Sequence, residues 1–276
     1  MQIRFQSSPQ ETSQMDTQQL RANFLCEEMM NEDKSSYIYS HYDRLIIGGI
    51  KPARGTVLLE NDPELRAAYF LERREIGIIN VGGEGSVLAD GSRHDLEKLD
   101  CLYLGMGTRE VAFSSHRKDQ PAVFFFLSTP AHHPYAAAKL SKEQATPVST
   151  GAQQTSNART IYKYIHADGI QSCQLVMGLT VLKEGSVWNS VPPHTHTRRT
   201  EVYFYFDVPE TQRVFHFMGE PGETRHIVMA NHEAVISPPW SVHFGSGTSN
   251  YGFIWGMAGE NKTYTDMDAV SVPELR

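Results

Sequence analysis

Residues 192 to 201 read P-P-H-T-H-T-R-R-T-E and run into V-Y-F-Y-F, a strand-forming stretch. Residues two apart on an extended chain point to one side, so His194 and His196 can turn both imidazoles to a single ion. The same parity puts Glu201, Tyr203 and Tyr205 on one face of the following strand and Val202, Phe204 and Phe206 on the other. If Glu201 faces the ion, both tyrosines line the same cavity. About forty residues on, I-S-P-P-W-S-V-H delivers His243 from a Pro-rich turn at the start of another strand. Three imidazoles and a carboxylate suit zinc, iron, manganese or nickel, and are too rich in nitrogen for calcium or magnesium.

Such a set needs rigid strands to hold it, and the chain is punctuated as strands and turns. Short β-rich runs such as R-L-I-I-G-G-I, E-I-G-I-I-N, A-V-F-F-F-L-S-T, Q-L-V-M-G-L-T-V-L, R-V-F-H-F-M-G and Y-G-F-I-W-G-M-A are separated by Gly, Pro, Asn and Asp clusters. That pattern predicts sandwiches or barrels rather than βαβ units. Helical signals are few. One helix is expected from Asp16 to about Met30, and a short capped one at Asn61-Asp62-Pro63-Glu64. A polar, aperiodic segment from about Lys139 to Arg159 reads as a linker. It gives an N-terminal domain over 1–145 and a C-terminal metal-binding domain over 160–276. Both halves carry Arg-Arg and then Glu before a strand, at 73–75 and at 198–201, offset by one residue. No H-x-H precedes Glu75, so the first half is expected to lack a metal, and His132-His133 are expected at a surface or interface.

Composition narrows the function class. The 276 residues are 40% hydrophobic, enough for one large or two ordinary cores, and the net charge is −7. A phosphate-binding surface needs a basic stripe, and the longest Lys/Arg cluster here is a pair, so no nucleic-acid partner is expected. Cys26, Cys101 and Cys173 are odd in number and show no C-x-x-C spacing, which fits a reducing cytoplasm. The most apolar windows are too short for a membrane span, and a soluble cytoplasmic protein is expected.

His194-x-His196-x4-Glu201 followed by Pro238-x-Trp240-x2-His243 resembles the two signature motifs of the cupin superfamily, whose β-barrel holds a metal with three histidines and a glutamate. Trp240 stands where a glycine is usual in the second motif, and Gly247 where an asparagine is. Longer strings cover nearly the whole chain and resemble the 5-keto-4-deoxyuronate isomerase family. They include P-P-H-T-H-T-R-R-T-E-V-Y-F-Y-F, V-F-H-F-M-G-E-P-G-E-T-R-H-I-V, Y-S-H-Y-D-R-L-I-I-G-G and F-L-E-R-R-E-I-G-I-I-N-V-G-G-E-G.

That resemblance implies a mainly β bicupin, two jelly-roll-like barrels with a few short helices. It implies one Zn2+ per chain on His194, His196, Glu201 and His243, and a homo-oligomer, with a hexamer among the forms it allows. The implied reaction is aldose–ketose isomerisation of 5-dehydro-4-deoxy-D-glucuronate, a small deoxyuronate, to 3-deoxy-D-glycero-2,5-hexodiulosonate in pectin and uronate breakdown. Such chemistry needs a Lewis acid at the carbonyl, a group to move the C2 proton and a cation for the carboxylate. Tyr203 by its position, and His216 and His226 by their ordinary pKa, are the candidates for proton transfer. Arg198, Arg199 and Arg225 are candidates for the carboxylate, because a planar guanidinium binds both oxygens, and Tyr205 is a further candidate for substrate contact. Two rival readings use the same ligands: an iron-dependent cupin dioxygenase and a non-enzymatic sugar-binding bicupin.

Overall fold

The computed structural model describes Met1 to Arg276 throughout, and it is built from two β-sandwiches of matching plan. In the first, a seven-stranded sheet runs in the spatial order Gln2–Arg4, Ser35–Ser40, Ile46–Ile50, Phe124–Pro130, Arg74–Asn80, Cys101–Leu104 and Ala138–Leu140. A four-stranded sheet of Val57–Leu58, Val111–Ser115, Gly85–Ala89 and Ser92–Leu96 lies over it. The second sandwich repeats the scheme. Its large sheet runs Val148–Thr150, Arg159–Ile165, Val176–Leu182, Gly252–Gly259, Arg199–Phe206, Ala234–Ser237 and Leu25–Cys26. Its small sheet runs Trp188–Asn189, Phe244–Gly247, Val214–Glu220 and Glu223–Met229. Hairpin pairs alternate in these sheets with neighbours distant in sequence, such as Ile46–Ile50 beside Phe124–Pro130 and Val176–Leu182 beside Gly252–Gly259, as in a jelly roll, and the mainly β bicupin expectation holds.

The two large sheets pack back to back, which explains why their central strands are apolar on both faces. In the strand Arg74–Asn80, Ile76 and Ile78 belong to a core inside the first sandwich, with Val87, Phe113, Phe124 and Phe126. Ile79 belongs instead to a larger core that also contains Phe125, Leu127, Met177, Val202, Phe204 and Ile254 from both halves. Phe125 stacks on Phe204 with ring centroids 4.3 Å apart. Two glycines permit this approach: a Cβ on Gly256 would lie 2.1 Å from Leu127 Cδ1, and one on Gly77 would lie 2.7 Å from Ile165 Cδ1.

Three local expectations change. The first helix spans only Thr17–Phe24, capped by Asp16 through a box with Gln19, because Leu25 and Cys26 leave it to pair with Val235 and Ala234 in the second sandwich. The chain's N-terminal helices therefore sit on the second half. A helix at Pro9–Ser13, capped by Ser8 and Glu11, was not foreseen; five residues are too few to show an apolar period. The polar linker is partly structured, since Ala138–Leu140 closes the edge of the first large sheet and Val148–Thr150 the edge of the second. Exposed edge strands pair on one side only and need no apolar alternation. The short helix at Pro63–Leu65, capped by Asp62, falls where expected.

Candidate metal centre and active site

The strand Arg199–Phe206 crosses the floor of the second sandwich between Gly252–Gly259 and Ala234–Ser237. Its pleat turns Val202 and Phe204 to the interface between the halves and Glu201, Tyr203 and Tyr205 to the sandwich interior. Upstream, His194 and Thr195 form a two-residue strand against Ala269 and Asp268, and this holds the H-x-H segment over the same interior. His243 arrives from the turn that Ser241 N–H closes on the Pro238 carbonyl, just before the strand Phe244–Gly247.

The four side chains converge. His196 Nε2 lies 2.7 Å and His243 Nε2 2.8 Å from Glu201 Oε2, and His243 Nε2 lies 3.0 Å from His194 Nε2. One donor atom from each of the four lies within 4.8 Å of every other, a grouping that could hold a single metal ion. The far nitrogens agree with that use. His243 Nδ1 is 3.2 Å from Ser237 Oγ and 3.3 Å from the Ser241 carbonyl, and His196 Nδ1 is 3.2 Å from the Asp266 carbonyl. The acceptors at His243 Nδ1 fix the tautomer that leaves its Nε2 lone pair free for a metal, whereas His196 Nδ1 also faces a donor, Arg199 Nη2 at 3.1 Å. Burial, and next the charge of His243, pushes His194 down to about 3, so its imidazole is neutral. Burial alone would raise Glu201, but His243 and the hydrogen bonds from His196 and His243 hold it well below the usual carboxylate range.

Beside these ligands lies a cavity of about 230 Å³, lined by Tyr203, Arg159, Ser190, Trp255, Tyr264 and others. Tyr203 shares a hydrogen bond of 2.7 Å with Ser190 Oγ, and its ring centroid is 5.5 Å from that of His243. Burial, then the Glu201 charge, raises the Tyr203 pKa well above that of a free phenol, so the hydroxyl stays protonated. Tyr205 lies deeper, 2.8 Å from His216 Nδ1. His216 is fully buried, pushed down to about 3 by that burial and then by His243, and its Nε2 has no hydrogen-bond partner. His226 is elsewhere, exposed on the outer face of Glu223–Met229 beside Phe215 and Phe217.

The three arginines proposed from sequence all have other partners. Arg198 donates from Nε to Asp266 at 2.7 Å and from Nη2 to Asp268 at 2.9 Å. Arg199 is fully buried and donates to the carbonyls of Thr263 at 2.8 Å and Asp266 at 2.7 Å, which fastens the 263–266 segment against His196. Arg225 donates to the carbonyls of Ser13 and Met15, holding the N-terminal helices. The guanidinium that does line the cavity is Arg159, half-buried, with its pKa lowered by burial and its Nη1 donating to the Asn157 carbonyl. Sequence reasoning passed over it as the end of the linker. A signal was present, because Arg159 and Ile161 share one face of the T-I-Y-K-Y-I strand and both line the cavity. Glu75, in the first half, is fully buried, while His132 and His133 are exposed.

Two stacked jelly-roll sandwiches, with three imidazoles and a carboxylate converging inside one of them, define a bicupin with a metal-type site. Within that class the chain belongs to the KduI/IolB family, whose model matches residues 24–272. It is 52% identical over 273 residues to a 4-deoxy-L-threo-5-hexosulose-uronate ketol-isomerase of Formosa agariphila, covering 99% of this chain and 98% of the relative. It is 50% identical to the protein of that name from Halalkalibacterium halodurans, over the full length of both. Among solved structures, an IolB-like protein from Salmonella typhimurium superposes with a TM-score of 0.73 at 15% identity, over 90% of this chain and 97% of the other. An oxalate decarboxylase from Lactobacillus farciminis gives 0.59 at 10% identity, over 86% and 83%. At those identities the structural likeness concerns the fold alone.

Proposed function

We propose that the chain is a zinc-dependent ketol-isomerase converting 5-dehydro-4-deoxy-D-glucuronate to 3-deoxy-D-glycero-2,5-hexodiulosonate, an aldose-to-ketose step of uronate breakdown. The observation that carries this reading is the meeting of His194, His196, Glu201 and His243 at a cavity that also holds one guanidinium, Arg159, and two protonated phenols, Tyr203 and Tyr264. The names of the full-length relatives support the same reaction.

Zinc on the four ligands would supply a Lewis acid for the carbonyl and hydroxyl oxygens between which the double bond moves. The remaining work falls to this chain's residues. Arg159 binds the substrate carboxylate with a planar pair of N–H donors, which fixes the end of the substrate remote from the reacting carbons. Tyr203 Oη donates a hydrogen bond to a reacting oxygen and is itself aimed by Ser190 Oγ. Arg199 keeps His196 in place through the 263–266 segment and acts as a positioning residue. Phe253, Trp255, Met257 and Tyr264 form a largely apolar wall that limits water around the substrate.

Metal analysis of purified protein, followed by a turnover assay on wild type and His243→Ala, tests the reading. About one zinc per chain and turnover without oxygen or nucleotide cofactor are expected, with both lost in the variant. A zinc-loaded protein that turns nothing over would sink the isomerase reading. Iron content with oxygen uptake would favour the dioxygenase instead.

A further inference from the structure

The first sandwich has a cavity of its own, of about 420 Å³, larger than the one beside the metal ligands. It lies at the end of the sheet where Arg74 opens one strand opposite Pro130 at the close of another. In the second sandwich the corresponding pair is Arg199 and Gly259, at the end that carries the metal ligands. The two cavities therefore occupy equivalent mouths of two equivalent barrels.

The chemistry of this mouth is cationic. Arg44, Arg73 and Arg74 line it against a single carboxylate, Glu64. The chain's ion pairs involve other arginines and none of these three. Arg74 is only 7% exposed, and its Nε and Nη2 are met by Ser128 and the Arg44 carbonyl, all uncharged. Its guanidinium carbon sits 5.9 Å from the centre of the Tyr39 ring. Arg73 uses Nη2 on the carbonyls of Leu65 and Arg66, which leaves its Nε and Nη1 free. A buried guanidinium with no counter-charge is costly, and Arg44 and Arg73, both exposed to solvent, add positive charge at its rim. In a chain of net charge −7 such a cluster calls for an anion. Tyr39 and Phe70 supply apolar wall for the carbon skeleton of a ligand.

We propose that this mouth is a second ligand site, which binds a small organic carboxylate of about hexuronate size, with its charge on Arg44, Arg73 and Arg74. The site belongs to the first sandwich and is independent of the metal centre. It gives the first half of the molecule a binding function of its own.

Calorimetric titration of the full-length, metal-loaded protein with D-glucuronate, D-glucose and inorganic phosphate tests this, on wild type, Arg44→Asn/Arg73→Gln and Arg159→Gln. Asparagine is chosen because residue 44 has φ +53°, a conformation it tolerates. Glucuronate is expected to bind wild type and Arg159→Gln at this site and to bind the double variant at least 10-fold more weakly, with no heat from glucose. Should the double variant not fold, Arg44→Asn alone provides the comparison. The proposal is overturned if the arginine substitutions leave glucuronate binding unchanged, or if Arg159→Gln abolishes all of it. It is likewise overturned if glucose binds as well as glucuronate, or if phosphate binds more tightly.

Discussion

In the proposed isomerase Arg159 and Tyr203 divide the work of holding a substrate beside the four ligands, and their substitutions should separate in kinetics. A charge-assisted contact to a carboxylate contributes about 1.5–3 kcal/mol, so Arg159→Gln should lower kcat/KM by about 10- to 100-fold, mostly through KM. Arg198→Gln, which loses a part-buried pair with Asp266 and an exposed one with Asp268, both outside the cavity lining, should change it little. Equal losses in the two variants would return the carboxylate to the T-R-R segment. Tyr203→Phe keeps the ring and removes the donor to the reacting oxygen, so kcat should fall by at least about 10-fold with metal content unchanged. His216 contributes in a different way. Its pKa falls from 6.5 to about 3 on folding, so between those values the unfolded chain binds a proton that the folded one refuses. Its contribution favours the fold above pH 6.5 and is lost progressively as pH drops toward 3. Replacing His216 by Gln should therefore flatten the fall of Tm between pH 6.5 and 4.5, and an unchanged slope would show that this imidazole is not the one refusing the proton.

Strand pleat explains both what could be read from the sequence and what could not. The ligand constellation was legible because His194 and His196, and then Glu201 and Tyr203, each form a pair at two-residue spacing within ten residues, and one Pro-rich turn marks His243. Arg159 was harder to read: it shares a strand face with Ile161, but that face says nothing of a cavity closed by strands far away in sequence. The Arg-Arg-Glu likeness of the halves is instructive because its offset of one residue matters: a one-residue shift moves a strand side chain to the opposite face. Glu201 enters its sandwich, whereas Glu75 turns to the other half and accepts hydrogen bonds from Tyr103, Thr129 and the N–H groups of Cys173, Gln174 and Leu175. Ile76 and Ile78 fill the first interior instead. Glu75 thus staples one half to the other. Glu75→Gln sets an amide NH2 against some of those donors and should cost about 2–4 kcal/mol in urea unfolding. A loss below about 0.5 kcal/mol would make the staple incidental.

Metal and core act on the molecule as a whole. An ion that binds only the folded chain stabilises it by about 4 kcal/mol when free metal is 1,000 times its Kd. At roughly 2 °C per kcal/mol for a chain of this size, chelation should lower Tm by about 8 °C. How the chain then unfolds depends on where its apolar contacts lie. The first sandwich has a private core of 17 buried residues, while a core of 44 runs through the second sandwich and across the interface into Ile47, Ile79, Phe125 and Leu127 of the first. Thr17–Phe24 and Leu25–Cys26 tie the start of the chain to the second half, so the backbone crosses that boundary more than once. Separating the halves would expose Val202, Phe204 and Ile254, all fully buried, and would leave Glu75 without its three backbone donors. Neither half can open without uncovering the outer face of the other's large sheet. Calorimetry should therefore show one transition, with the calorimetric enthalpy matching the van't Hoff value, in both the metal-loaded and the chelated protein. Two resolved transitions after chelation would mean that the shared core does not couple the sandwiches.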